Sequence, residues 1–321
     1  ASGEFTLEGA IAYPVGDLSR GFRYMTEMLN LSRTYNAVAA LAIMRRSYVE
    51  SLAHATNRAA FGKTIDHYPM VRQMLTSMVV ELEAATAFVW EAIRYLDKVD
   101  QGTASEDEQA MRRLLTPMIK YHTGKQAIRF ASEACEMLGG NGYIETFVTP
   151  RLLRDAQVLP IWEGTTNILV LDVVRCLGRE GAGPILLAEL RRRLSEVRAE
   201  ALAPWRTYLA REVDRLEKAL GDLSAQDEVR LQLHAKTWSD RAIRLYEAIL
   251  LLGQAEREAA RGKGRKLALL AWHIERFLEP KAFGEPGWCE DATAHALFEG
   301  MGHGADLPLE SVLRSVREPS S

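Results

Sequence analysis

The sequence predicts an all-α protein, in which an antiparallel four-helix bundle is followed by an additional carboxy-terminal helical domain. Three observations predict this fold class. Apolar residues recur at helical spacing over most of the chain, the periodic segments begin and end at recognisable helix signals, and the composition changes after Gly181. The 321 residues are 47% hydrophobic and 26% charged, which is typical of a globular protein and argues against disorder.

The amino-terminal segment departs from this pattern. Phe5, Leu7, Ala10 and Ala12 alternate in a way that indicates the tail of a β-strand, so we expect residues 1–16 to be a short β remnant. The segment also has no initiator methionine. We therefore expect that this sequence begins inside a domain.

The first helix is predicted from about Leu18 to Arg58, where Phe61-Gly62 interrupts the pattern. A second helix is expected from Pro69 to Leu96, because proline suits a first helical turn. A third is expected from Ser105 to Leu138, since Ser105 with Glu108 three positions later forms a capping-box signature, and Gly139-Gly140 then ends the helix.

The next segment, from Asn141 to Pro160, contains Gly142, Pro150 and Pro160 and is predicted to be too broken for a helix. From Thr165 onward the apolar pattern returns and predicts the fourth helix of the bundle. In bundles of this kind, cofactor sites lie where a helix meets a loop, because backbone N–H groups there are free to bind phosphates. We therefore expect a cofactor-binding site at the segments LGGNGY (138–143) and WEGTTN (162–167).

The carboxy-terminal region is predicted to be a second helical domain. Its periodic segments run from Ile185 to Leu220, from Asp227 to Arg261 and from Lys266 to Lys281. The predicted domains are therefore residues 1–16, 17–182 and 183–321.

Several classes of protein are disfavoured. Cys135, Cys176 and Cys289 are odd in number and widely spaced, which indicates a reducing compartment, and the seven histidines show no metal-ligand spacing. No apolar run is long enough to span a bilayer, and no secretory signal is visible. We expect a cytoplasmic protein with no metal site and no membrane contact.

Glu163 is the strongest candidate for a catalytic residue. It follows an apolar run that begins at Val158 and contains no cation. Apolar surroundings disfavour the charged form of a carboxyl group and so suit a base that removes a proton from carbon. The alternative is a helix-start carboxylate that only complements the helix dipole.

Four motifs in order carry a family resemblance: RAAFGK from Arg58, LGGNGY from Leu138, RDA from Arg154, and IWEGTTNILVLDVVR from Ile161. Together they resemble the carboxy-terminal half of the acyl-CoA dehydrogenase family of flavoproteins. The last motif, with KYHTGKQAIRFASEACEMLGGNGY, looks most like the alkylation-response (AidB) branch of that family.

The resemblance implies specific roles. Glu163 matches the glutamate that removes the α-proton of a fatty acyl-CoA, and Arg33 matches an arginine close to it. The implied contacts to flavin adenine dinucleotide (FAD) are made by Arg58, Phe61, Gly139, Gly140, Asn141, Thr165 and Asn167. Some of these would reach the flavin of a neighbouring subunit, which implies a homodimer or homotetramer with an acyl-CoA substrate and an electron-transfer acceptor.

Each assignment has a simpler alternative. Gly139-Gly140 can be a plain helix stop, Arg58 a charged helix end, Phe61 a packed aromatic residue, and Arg33 a solvated side chain. For the chain as a whole, the alternatives to an FAD-dependent acyl-CoA dehydrogenase are a DNA-associated flavoprotein of the AidB type and a non-catalytic, oligomerising helical fragment.

Charge does not support DNA binding. Residues 183–321 contain 21 lysines and arginines against 22 aspartates and glutamates, whereas a nucleic-acid domain usually has a basic face. Two local basic clusters remain, at Arg191–Arg193 and at Arg261–Lys266.

Overall fold

A computed structural model describes residues 3–224, 227–280, 298–301, 304, 306–316 and 318–319. The amino-terminal half is a helical bundle, as predicted. Its helices are α1 (Gly21–Asn57), α2 (Pro69–Asp100), α3 (Glu106–Leu138), α4 (Thr149–Val158) and α5 (Thr166–Gly178). α2 lies antiparallel to α1 and α3, so α1 and α3 run in the same direction.

The sequence signals explain the ends of these helices. The capping box at α3 is present, because the Ser105 side chain accepts from the Glu108 N–H and the Glu108 carboxylate accepts from the Ser105 N–H. Gly139 ends α3 with φ +59°, a left-handed conformation that favours glycine. Between α1 and α2, a small hairpin pairs β1 (Ala59–Ala60) with β2 (Lys63–Thr64).

The prediction that Asn141 to Pro160 is too broken for a helix is wrong, because α4 occupies its second half. Pro150 lies in the first turn of α4, where proline has no hydrogen bond to lose, and Pro160 follows the end of the helix. The prolines therefore bracket α4 and do not interrupt it.

The expected strand at the amino terminus is also wrong for residues 3–17, which have no regular secondary structure. Phe5 and Ile11 are 83% and 89% exposed. A strand is stabilised by hydrogen bonds to a neighbouring strand, and no described segment pairs with this one.

The carboxy-terminal region is helical, as predicted. Its helices are α6 (Ala182–Ser195), α7 (Ala203–Ser224), α8 (Glu228–Ala259), α9 (Arg265–His273) and α10 (Leu309–Ser315), with a π-helical turn at Ile274–Leu278. The segment predicted from Ile185 to Leu220 is two helices, because the Glu256 carboxylate accepts from the Arg198 and Ala199 N–H groups, each at 3.0 Å, and caps the break. Lys281 and Cys289 lie outside the described residues.

The carboxy-terminal helices pack directly on the bundle. α8 contacts α2 and α5, α6 contacts α3, and one hydrophobic core runs from the bundle into these helices. The division at residues 16 and 182 stays a prediction. Among the described residues, no helix is long and apolar enough to cross a membrane, and no group of three or more His, Cys, Asp or Glu side chains could hold a metal ion.

A buried ionic network joins the bundle to the carboxy-terminal helices. Glu247 of α8 and His273 of α9 are completely buried. The Glu247 carboxylate lies 3.0 Å from His122 Nε2 of α3 and 3.0 Å from an Arg244 guanidinium nitrogen, while His273 Nε2 donates to the Arg244 carbonyl at 2.9 Å. Because these groups come from both halves of the chain, their protonation affects the packing between them.

The pKa values of two network groups lie below their ordinary ranges. Burial alone would raise the pKa of Glu247, but the charges of Arg244 and His122 outweigh burial and lower it to about 2. Burial lowers the pKa of His273 to about 4, although the Glu247 charge opposes this shift. The unfolded chain therefore binds more protons than the folded chain between about pH 2 and pH 6.5.

We expect the free energy of unfolding to decrease as the pH falls from 7 to 4.5. The contribution of His273 is present above its unfolded pKa of about 6.5 and is lost as the pH falls towards 4. Urea denaturation at a series of pH values would measure the slope. The slope should be smaller in His273→Gln and unchanged in His234→Gln, since His234 is exposed. Equal slopes in these two variants would contradict the assignment to His273.

Candidate active site

The connector between α4 and α5 makes a left-handed turn at Glu163. Glu163 has φ +59° and Gly164 has φ +109°, and Phe61 is the other non-glycine residue with positive φ in the described chain. A non-glycine residue in this region has unfavourable contacts of its Cβ atom, at a cost of about 1–2 kcal/mol. The surrounding structure must therefore hold Glu163 in this conformation.

The Glu163 carboxylate has one bound and one unbound oxygen. The Ser32 hydroxyl of α1 donates to Oε1. Oε2 is buried and has no hydrogen-bond partner among the described residues. A buried acceptor that is left without a donor is uncommon, and a catalytic role is one explanation for such an atom.

Two cationic side chains hold the turn through its carbonyl groups. Lys120 of α3, which is fully buried, donates from Nζ to the Trp162 carbonyl at 2.6 Å and to the Gly164 carbonyl at 2.7 Å. Arg33 of α1 donates from Nε to the Glu163 carbonyl at 3.0 Å. Three successive carbonyls are thus bound by charged donors, whose hydrogen bonds are stronger than those of neutral donors.

Arg33 is itself held in place. Its guanidinium lies 3.1 Å from the Asp172 carboxylate of α5, and Asp172 also pairs with Arg113 of α3 at 2.6 Å. The Arg33 side chain is only 14% exposed. The alternative of a solvated Arg33 is therefore wrong.

The groups that surround Glu163 in the structure differ from its neighbours in the sequence. Ile161 and Trp162 are 62% and 49% exposed, whereas Lys120 and Arg33 lie next to the turn. Burial lowers the pKa of Lys120 to about 8, with the Glu163 charge opposing and Arg33 reinforcing this shift. Lys120 is therefore still mostly protonated at pH 7, and its positive charge lies close enough to Glu163 for the two charges to interact.

A family profile described as "Acyl-CoA dehydrogenase, C-terminal domain" matches residues 19–178, which contain all of this geometry. Acyl-CoA dehydrogenase family member 11 of Caenorhabditis elegans is 38% identical over 260 residues, covering 78% of this chain and 42% of that protein. The chain belongs to the acyl-CoA dehydrogenase family. The predicted likeness to the AidB branch is also supported, since the putative acyl-CoA dehydrogenase AidB of Escherichia coli is 34% identical over 68% of this chain and 38% of its own length.

A solved structure agrees with this assignment. The crystal structure of Caenorhabditis elegans ACDH-11 in complex with C11-CoA superposes with a TM-score of 0.78 and 33% identity, covering 86% of this chain and 48% of that chain. The chain thus spans less than half the length of these acyl-CoA dehydrogenase relatives.

The site residues predicted from the acyl-CoA dehydrogenase family fall into two groups. Glu163 and Arg33 are in contact, and Thr165 and Asn167 follow Glu163 at the exposed start of α5. The structure therefore brings together the predicted base, its arginine and two predicted FAD contacts at one level of the bundle.

The second group lies at the far end of the bundle. Arg58 is 25 positions beyond Arg33 along α1, a rise of about 37 Å, and Gly139 is 19 positions beyond Lys120 along α3, a rise of about 28 Å. Gly140 and Asn141 follow Gly139 and are exposed. Phe61 is 97% exposed, so the alternative of a packed aromatic residue is wrong.

Sequence reasoning missed Ser32, Lys120 and Asp172. Lys120 could have been recognised as a candidate, because it is a lysine on the buried face of α3, near Gly124. A Cβ atom at Gly124 would lie 3.4 Å from the backbone of Leu159 and Pro160, an ordinary van der Waals contact, so the connector packs against α3 at this position. Ser32 gave no local signal, because its partner is 131 residues away.

Proposed function

We propose that this chain carries the catalytic base of an FAD-dependent acyl-CoA dehydrogenase, which introduces a double bond between the α and β carbons of an acyl-CoA thioester. The observation that carries the proposal is the Glu163 turn. It presents a carboxylate with one oxygen held by Ser32 and the other without a donor. Family membership and the likeness to a protein solved with C11-CoA support the substrate class.

In this proposal, the Glu163 carboxylate accepts the α-proton, and no internal donor has to be displaced from Oε2 for this transfer. The Ser32 hydroxyl keeps Oε1 in place during the transfer. The Glu163 N–H makes no hydrogen bond within the described chain and can donate to the thioester carbonyl, whose oxygen gains negative charge as the proton leaves. FAD, when bound, supplies the acceptor for the β-hydrogen and its electrons.

The far end of the bundle fits the adenosine diphosphate part of FAD. The Arg58 guanidinium is exposed and has no hydrogen-bond or ion-pair partner among the described residues. A Cβ atom at Gly139 or Gly140 would meet nothing within 4 Å, so the backbone of this loop, including Asn141, is open to a phosphate group. Phe61 offers an exposed ring for packing against the cofactor.

We propose a homodimer or homotetramer in which FAD is shared between subunits. The support is the separation of about 37 Å between Arg33 and Arg58, which is hard to bridge from one chain alone. Thr165 and Asn167 match family positions that contact the adenosine part of the cofactor. An electron-transfer acceptor would then reoxidise the flavin. The free thiols Cys135 and Cys176 are consistent with a cytoplasmic location.

Duplex DNA ranks lower as a partner, because the basic clusters are largely neutralised. Arg191, Arg192 and Arg193 each pair with carboxylates. In the second cluster, Lys263 pairs with Asp306, whereas Arg265 and Lys266 both pair with Glu83. Among the described residues of these clusters, this leaves Arg261 without an ion pair, which is too little positive charge for a phosphate backbone.

The test is an absorption spectrum of the chain after incubation with FAD and removal of the excess, repeated with acyl-CoA thioesters of several lengths, including C11-CoA. We expect retained flavin that is bleached by at least one thioester. If flavin is retained and no thioester bleaches it, the dehydrogenase proposal is contradicted. If no flavin is retained, the non-catalytic helical fragment describes this chain.

A further inference from the structure

Lys120 sets the orientation of two peptide groups beside Glu163. A trans peptide carries its N–H opposite its C=O. The Trp162 and Gly164 carbonyls both point at Lys120 Nζ. The N–H groups of the same two peptides belong to Glu163 and Thr165, so both point away from Lys120.

These two N–H groups have no internal partners. Neither the Glu163 N–H nor the Thr165 N–H makes a hydrogen bond to any group in the described chain. The turn therefore places its carbonyls on the buried side, around an ammonium group, and leaves two donors on the other side.

Little else in the turn can hold this arrangement. Backbone hydrogen bonds of the connector stop at the Trp162 N–H, which donates to Val158, and resume when the Leu169 N–H donates to Thr165. Within this gap, the hydrogen bonds that the described chain makes to the backbone come from Lys120 and Arg33. These two side chains bind the backbone of the turn, and the Ser32 hydroxyl binds the Glu163 side chain.

We propose that Lys120 is a positioning residue: by binding the carbonyls on both sides of Glu163, it holds the turn in its left-handed form and directs the Glu163 carboxylate and N–H to the substrate. The structural half of this proposal stands alone, whereas the catalytic half rests on the proposed role of Glu163.

The first experiment follows the conformation of the turn by 19F NMR in the 321-residue chain. Tryptophan is replaced by 5-fluorotryptophan, and the 19F resonance of residue 162 is assigned with Trp162→Phe. In Lys120→Met we expect this resonance to shift or broaden while most of the other five tryptophan resonances stay in place. The matched control is Lys125→Met, the same change at an exposed lysine of the same helix.

A Trp162 resonance that is the same in Lys120→Met and Lys125→Met would overturn the proposal. If Lys120→Met does not fold, Lys120→Gln serves instead, because an amide keeps a donor in the buried position. The same comparison then applies, and an unchanged Trp162 resonance in the glutamine variant again overturns the proposal.

The second experiment separates positioning from general damage. In flavin-loaded chains, Lys120→Met should slow bleaching at saturating acyl-CoA by about 100-fold, the order of effect expected for a reacting group displaced by about 1 Å. Flavin retention and the half-saturating acyl-CoA concentration should change little. Parallel loss of flavin and substrate binding would assign Lys120 a merely structural role. If the unsubstituted chain does not bleach, the proposed function fails and the fluorine spectrum alone decides the role of Lys120.

Discussion

Glu163→Gln should abolish acyl-CoA-dependent bleaching while leaving bound flavin in place. The amide has nearly the shape of the carboxylate and can still bond to Ser32, but it cannot accept the α-proton. A positioned base contributes about 10²- to 10⁴-fold to a proton transfer, so we expect a loss of at least that size. Stopped-flow measurement of flavin absorbance after mixing with acyl-CoA gives the rate.

The matched control is Glu106→Gln, which makes the same change at an exposed carboxylate in the first turn of α3. This variant should bleach at the normal rate. Bleaching by Glu163→Gln at a rate within a few fold of the control would exclude Glu163 as the base. A variant that loses its flavin would indicate a binding role for Glu163.

Glu247→Gln should cause a large loss of stability. Glu247 is completely buried between His122 and Arg244, and its neutralisation removes one of the two carboxylates that compensate the guanidinium, the other being Glu81 at 3.4 Å. Breaking a buried pair in this way costs about 3–5 kcal/mol, which is a large share of a typical total of about 5–15 kcal/mol. Urea denaturation followed by circular dichroism measures the change.

An exposed ion pair provides the comparison. Glu50 pairs with Arg46 at 2.7 Å on the surface of α1, where both side chains reach solvent. Glu50→Gln should change the free energy of unfolding by about 0–1 kcal/mol. If Glu247→Gln were as mild as Glu50→Gln, the buried network would not be a main contact between the bundle and the carboxy-terminal helices.

The helices could be predicted well because their signals are local. The Ser105 capping box, Pro69 and Gly139 each act within one turn, so α2 and α3 begin and end close to their expected positions. α4 was missed because Pro150 was interpreted as a helix breaker, although it lies in a first turn. The break between α6 and α7 depends on Glu256, a cap about 58 residues away in sequence that no local pattern reveals.

The candidate site could be predicted only in part, for a related reason. The motif around Glu163 identified the carboxylate, but the residues that hold it come from other helices. Ser32 and Lys120 are 131 and 42 residues away from their partners in the turn. Which lysine of α3 reaches the connector is determined by the packing of α3 against it, and this cannot be derived from residue spacing along the chain.

The distance between the two groups of predicted cofactor residues has a genetic consequence. If FAD is shared as proposed, Glu163 and Arg58 of one chain serve two different cofactors. A chain defective at Glu163 and a chain defective at Arg58 would then assemble into mixed dimers that contain one intact site and one doubly damaged site. Two inactive alleles would partly complement each other, whereas two alleles that both affect the Glu163 turn would not.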